Sequence, residues 1–310
     1  MTSAEHCGLC GETCAPGPCV QGACVIAEDS GEGAYMGGVA SNATELFYAG
    51  TEGGVTNLFK MPLGGGTEES LFPLMDTIIG DVFINASEVY AAFEGMSPVV
   101  AKGDKDSILS PAELDVFTAK ALSRLDGADV TVCWTIDKGV QCTFDGMDQG
   151  PIDIGEQSGD VAVSNGVVYV TTDQLHVYAS LTSGAMPPAL LGSVPATSIA
   201  GIDVAQGQLY IAADDGIWTM PTVGGPATRI TTELHDQPFD LVVDQGRVYV
   251  TTIGTPSRLY RAPSAGGDEE LLYEAALVPF VEARNSYVYF SSVDEVRLYR
   301  RHVDAVAPPR

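Results

Sequence analysis

The chain is short of positive charge. Its 310 residues hold 15 Lys and Arg against 41 Asp and Glu, a formal net charge of -26. Phosphate backbones and anionic membrane surfaces repel such a chain at ordinary salt, so nucleic acid is not an expected partner. Nor is there an apolar run near the ~18 residues that a membrane span requires, and no transmembrane span is expected. The patterns G-x-S-x-G, HExxH and a glycine-rich loop ending in GK are all missing, which removes the commonest hydrolase, metalloprotease and nucleotide-binding readings. GEGAYMGG at 31–38 has neither the spacing nor the following helix of a dinucleotide fingerprint. Of four histidines, His235 beside Asp236 is the one candidate base. No basic and apolar leader opens the chain, and Met1 followed by TSAEHC reads as a start placed after a removed leader.

Cysteine, by contrast, is concentrated. Five of seven, Cys7, Cys10, Cys14, Cys19 and Cys24, fall in CGLCGETCAPGPCVQGAC among Gly and Pro. That density without apolar periodicity describes a small loop-rich module held by disulfides, hence an oxidising compartment. Zinc is the weaker reading, because the Cys7–Cys10 pair has no second pair and no His at ligand spacing. The odd count leaves one cysteine unpaired or paired to a residue further upstream. Cys133 and Cys142 flank WTIDKGVQ; a two-residue turn at Asp137-Lys138 sets them opposite each other on adjacent strands, which predicts a second kind of disulfide, across a hairpin.

The remainder is a repeat. Phe239 to Gly267, FDLVVDQGRVYVTTIGTPSRLYRAPSAGG, contains two alternating runs joined by a DQG turn, a third short strand and a Gly-Gly turn. Phe47, Tyr90, Cys133, Tyr169, Tyr210, Tyr249 and Tyr289 occupy one position of seven such units, spaced by 36 to 43 residues. Each unit carries the two-faced alternation of strands, and a unit this small must bury its apolar face on its neighbours. Four antiparallel strands per ~40 residues is a propeller blade. The expected fold is therefore all-β, a seven-bladed β-propeller over residues 25–310 behind a cysteine-rich segment at 1–24. The seventh unit supplies three strands, so Val25 and Ile26 are expected to complete its blade and hide an edge that would otherwise pair with other chains.

Inner strands are expected to begin at Gly38, Asp81, Asp115, Asp160, Gly201, Asp240 and Phe280, with Ser107 to Leu109 as an outer strand and a long first hairpin near 122–129 in the third blade. GDKDSILSPAEL at 103–114 also resembles an EF-hand end, with Asp104, Asp106, Ser110 and Glu113 as ligands, but Lys102 would take the leading carboxylate's place. On this register Asp81, Asp115, Asp160 and Asp240 gather at one mouth of the central channel. There they either hold a cation such as Ca²⁺, with raised pKa values from mutual repulsion, or accept backbone N–H groups of a neighbouring blade.

The repeat resembles the blades of the TolB-like and YWTD-like propeller groups, with their DxxG turn, VYV strand and LYR-like strand before Gly-Gly. The cysteine segment is similar to those that precede larger domains in secreted proteins and lipoproteins of myxobacteria. The resemblance implies a propeller, but these groups include binding platforms, adhesins, lyases and hydrolases. The function expected first is an extracellular or cell-surface scaffold binding a protein or glycan through one face, with the periplasm as the alternative location. A lyase or hydrolase with an acidic, metal-binding channel mouth is the second reading, and a subunit of a surface assembly or filament the third. Exposed aromatics such as Trp218 or Tyr260 would favour glycan; a deep polar channel of carboxylates with a metal would favour catalysis.

Overall fold

In the computed structural model, residues 7, 14, 17–28, 36–52, 55–74, 78–94, 98–107, 115–119, 124–231, 234, 236–293 and 295–304 are described. They form seven antiparallel sheets arranged as blades, six of four strands and one of five. The innermost strands are Met36–Ser41, Ile78–Ile84, Leu125–Ala128, Ser158–Ser164, Ile199–Ala205, Gln237–Asp244 and Val281–Arg284, in blades 1 to 7. No helix among the described residues is long and apolar enough to cross a membrane.

Local chemistry explains the blades. In blade 6 the DQG turn places Gln245 and Gly246 at φ of 47° and 76°, the mirror-image turn geometry whose twist matches paired strands. The second strands, such as Arg247–Ile253, alternate β-branched and aromatic residues and are buried on both faces between blades. All seven anchor positions are buried, Phe47, Tyr90, Cys133 and Tyr249 completely. The core is accordingly a set of apolar layers between adjacent blades rather than one central mass.

Closure is by the N-terminal strand. Ala23–Glu28 pairs antiparallel with Arg297–His302, setting Val25 against Tyr299, with a bulge at Ile26. Cys19–Val20 adds a fifth strand outside it. The buried Arg301 holds this hairpin by donating to the carbonyls of Gln21 and Leu272, at 2.6 and 3.0 Å. Cys7 is bonded to Cys19 and Cys14 to Cys24, so the cysteine segment is stapled to the two strands that shut the ring. Cys10 lies outside the described residues.

Blade 3 corrects the expected register. Asp115–Thr118 is the fourth strand of blade 2, paired with Val99–Asp104, while Ser107 sits in a bend after that third strand and 108–114 lie outside the described residues. The inner strand of blade 3 is Leu125–Ala128, only four residues long. Asp115-Val116-Phe117 copies Asp81-Val82-Phe83 in sequence, but alternation alone cannot distinguish an outer strand from an inner one.

Candidate functional site

The seven inner strands enclose a cavity of about 730 Å³. Two tiers of side chains line it, set by the two-residue period of strands. Residues nine before each aromatic anchor form the first tier: Gly38, Asp81, Arg124, Asp160, Gly201, Asp240 and Phe280. Residues seven before the anchor form the second: Ala40, Phe83, Asp126, Ala162, Asp203, Val242 and Glu282. Carboxyl groups thus occupy the first tier in blades 2, 4 and 6, and the second tier in blades 3, 5 and 7.

Each carboxyl stitches its blade to the next. Asp81 accepts the Leu125 N–H at 2.9 Å, Asp126 that of Val163 at 2.6 Å, Asp160 that of Ile202 at 2.9 Å. Asp203 accepts the Val243 N–H at 2.6 Å and Asp240 the Val281 N–H at 3.0 Å. Glu282 closes the series by accepting the Ser41 hydroxyl of blade 1 at 2.7 Å. The other oxygens of Asp81, Asp160, Asp203 and Asp240 accept the N–H of the residue that follows each. Between blades 1 and 2 the contact is by backbone: a Cβ on Gly38 would come within 2.7 Å of the Asp81 Cα, so only glycine fits.

Arg124 reaches across one end. Its guanidinium donates to the Phe239 carbonyl of blade 6 at 2.8 Å and stacks 4.4 Å from the Phe239 ring centre, with Phe280 at 5.7 Å. Phe239 and Phe280 meet edge to face at 5.6 Å. Here the lining stops; at the other end it runs out between Asn42, Asn85, Asp129, Val130 and Arg284. The cavity is a cup with its mouth on the face of the first-to-second-strand turns.

Electrostatics differ between the tiers. Burial raises Asp81 to about 7 and Asp160 to about 6, against the lowering pull of Arg124. Asp240 is likewise raised by burial and held back by Arg124. In the second tier burial raises Asp126 well above the usual range, with Asp203 adding repulsion, and raises Asp203 to about 7, with Asp240 and Asp244 adding repulsion. Glu282 rises to about 7 through burial, moderated by Ser41 and Arg284. Arg284 also donates to the Ser41 carbonyl at 2.8 Å.

Asp81, Asp160 and Asp240 therefore share a tier, whereas Asp115 is elsewhere: its side chain is 69% exposed on the outer edge of blade 2 and pairs with Lys102 at 3.1 Å. The place expected for Asp115 belongs to Arg124. Asp126, Asp203, Glu282 and Arg124 escaped the sequence reading; a constant offset of nine from anchor to inner strand, broken only by Asp115, would have found Arg124, and only a second column at an offset of seven holds the other three. Cys133 and Cys142 are bonded across the hairpin of blade 3, buried. His235, Ser110 and Glu113 lie outside the described residues. Trp218 and Tyr260 are buried, at 9% and 4% exposure.

Calcium demands six to eight oxygens at 2.3–2.6 Å. Among the described residues, the three metal-ligand side chains that converge are Cys7, Cys14 and Cys24, whose sulfurs are in disulfides. The channel carboxyls are aimed at backbone N–H groups instead.

No family model matches the chain, and no curated protein matches it. Solved structures do. The WD40 β-propeller domain of Doa1 superposes with a TM-score of 0.69 at 10% identity, over 91% of this chain and 97% of that one. A chain of the Mitotic Checkpoint Complex gives 0.66 at 12%, over 91% and 93%. The computationally designed Ika8 protein gives 0.58 at 10%, over 90% and 99%. At such identities the likeness carries the propeller fold and no activity.

Proposed function

We propose that this protein is an extracellular or surface-held binding scaffold that recognises a protein partner through the face on which the cup opens. One observation carries the reading: among the described residues Arg124, Phe239 and Phe280 meet across one end of the cavity, exposed Asp129 and Val130 line the other, and the carboxyls inside it are engaged in holding blades together. A preformed recess on one face of a rigid ring is a recognition site. The three disulfides suit an oxidising compartment, in keeping with the resemblance of the cysteine segment to secreted proteins and lipoproteins and of the blades to TolB-like and YWTD-like groups. Burial of Trp218 and Tyr260 takes away the aromatic platforms that a glycan would stack on, which ranks protein above glycan. Raised carboxyl pKa values inside a cavity also suit the lyase or hydrolase reading. It stands second because the oxygens of Asp81, Asp160, Asp203 and Asp240 are occupied by backbone donors.

The test is a panel of immobilised glycans and secreted proteins probed with the wild type, with Asp129→Arg at the mouth and with Ile253→Lys on the opposite face. Binding lost in the first variant and kept in the second is expected. Binding that ignores the mouth change and disappears with Ile253→Lys would place recognition on the other face and overturn the reading.

A further inference from the structure

Among the described residues, exposed large apolar side chains are unevenly spread around the ring. Val130, Phe144, Met147, Leu181, Met186 and Val223 belong to the turns of blades 3, 4 and 5 on the mouth face. Exposure reaches 51% at Phe144, 62% at Met147 and Met186 and 90% at Val223. On the same face, the corresponding turns of blades 1 and 6 present residues such as Gly64 and Asp268. The arc is continuous with the cup: Val130 lines the mouth, and its carbonyl accepts the Asp145 N–H at 2.9 Å, tying the turn that bears Phe144 and Met147 to the rim. Singly scattered exposed apolar residues need no explanation, whereas three consecutive blades on one face mark an interaction surface.

Charge selects the occupant. Exposed Asp129, Asp145 and Asp148 border the blade 3 end of the arc. A second copy of this chain, itself at -26, would be repelled.

Resting on the scaffold reading, we propose that the partner is a basic and apolar protein segment, which lays its apolar residues on the arc of blades 3 to 5 and sets Lys or Arg side chains against the exposed rim carboxylates Asp129, Asp145 and Asp148. Long cationic side chains with apolar stems suit both halves of such a site.

The experiment uses the full chain and an array of 12-residue synthetic peptides in which basic, acidic and apolar content vary independently, followed by fluorescence anisotropy on the strongest binders. Peptides both basic and apolar should bind, weakening as salt rises, and polylysine and acidic apolar peptides should not. Phe144→Lys and Met147→Lys, exposed and so harmless to folding, should each weaken binding about tenfold or more. Ile253→Lys should leave it unchanged. Equal binding of polylysine, or indifference to both blade 3 variants, would overturn the proposal, as would a concentration-dependent dimer through this face in sedimentation. If acidic peptides or glycans bind and Asp129→Arg abolishes it, the scaffold reading stands and this partner assignment falls. If no ligand maps to the mouth face, both fall.

Discussion

The two tiers of the cup use the same chemistry in opposite circumstances. Three carboxyls in each accept hydrogen bonds across blade junctions, but the first tier shares its level with Arg124 and is walled by Phe239 and Phe280. In the second, Arg284 moderates Glu282, while Asp203 adds repulsion at Asp126. A buried carboxyl with a cation nearby is a structural part; one without is costly to ionise and welcomes an incoming cation. The same seven-fold frame thus sets carboxyls beside a cation at one level and beside each other at the next.

Removing Arg124 should have the largest effect. Arg124→Ala leaves Asp81, Asp160 and Asp240 without their moderating charge and should lower stability by about 3 kcal/mol at pH 8, measured by urea unfolding. The loss should shrink at pH 5, where Asp81 and Asp160 hold protons; a loss independent of pH would mean that Arg124 acts by packing alone.

Next comes the stitching itself. Asp160→Ala orphans the N–H groups of Ile202 and Val161 and should cost about 2–4 kcal/mol. Asp160→Asn keeps an acceptor and should cost less. Asp115→Ala breaks an exposed pair with Lys102 and should cost under ~1 kcal/mol. Similar costs for Asp115→Ala and Asp160→Ala would contradict the separation of the two residues described above.

The pH dependence of the wild type follows from the raised carboxyls. Asp81, Asp203 and Glu282 sit at about 7 and Asp160 at about 6, above unfolded values near 4. Between those limits the folded state binds more protons, so their stabilisation is full below about pH 4 and is lost as pH rises through about 7. Melting at pH 5 should exceed that at pH 8 by on the order of 5 °C; a lower melting point at pH 5 would refute the assignment. Calcium should have the smallest effect, under about 1 °C at millimolar concentration. A larger rise that Asp160→Ala and Asp240→Ala both remove would restore the cation reading.

Most of the ring was legible because packing repeats. Aromatic anchors, DQG-type turns and VYV strands recur since each blade must solve the same burial problem, and the missing fourth strand of blade 7 pointed to Val25. Blade 3 was not legible, for the inner strand Leu125–Ala128 is short and weakly β-branched while Asp115–Thr118 mimics its neighbours. The channel was half legible: three of its aspartates stood out in one register, but the alternation between tiers placed Asp126, Asp203 and Glu282 two residues further on, where a search of a single column misses them.

By itself, then, the sequence determined the number of blades, the β class and the hairpin disulfide, because these follow from local periodicity and from pairs of residues near one another in the chain. Tertiary structure alone decided which carboxyls meet, that Arg124 reaches across one end of the cup from blade 3 to blade 6, and that the apolar arc lies beside its mouth. Those contacts join residues up to 243 positions apart, as between Arg284 and Ser41, and no local pattern encodes which blades face each other across a ring until the ring has closed.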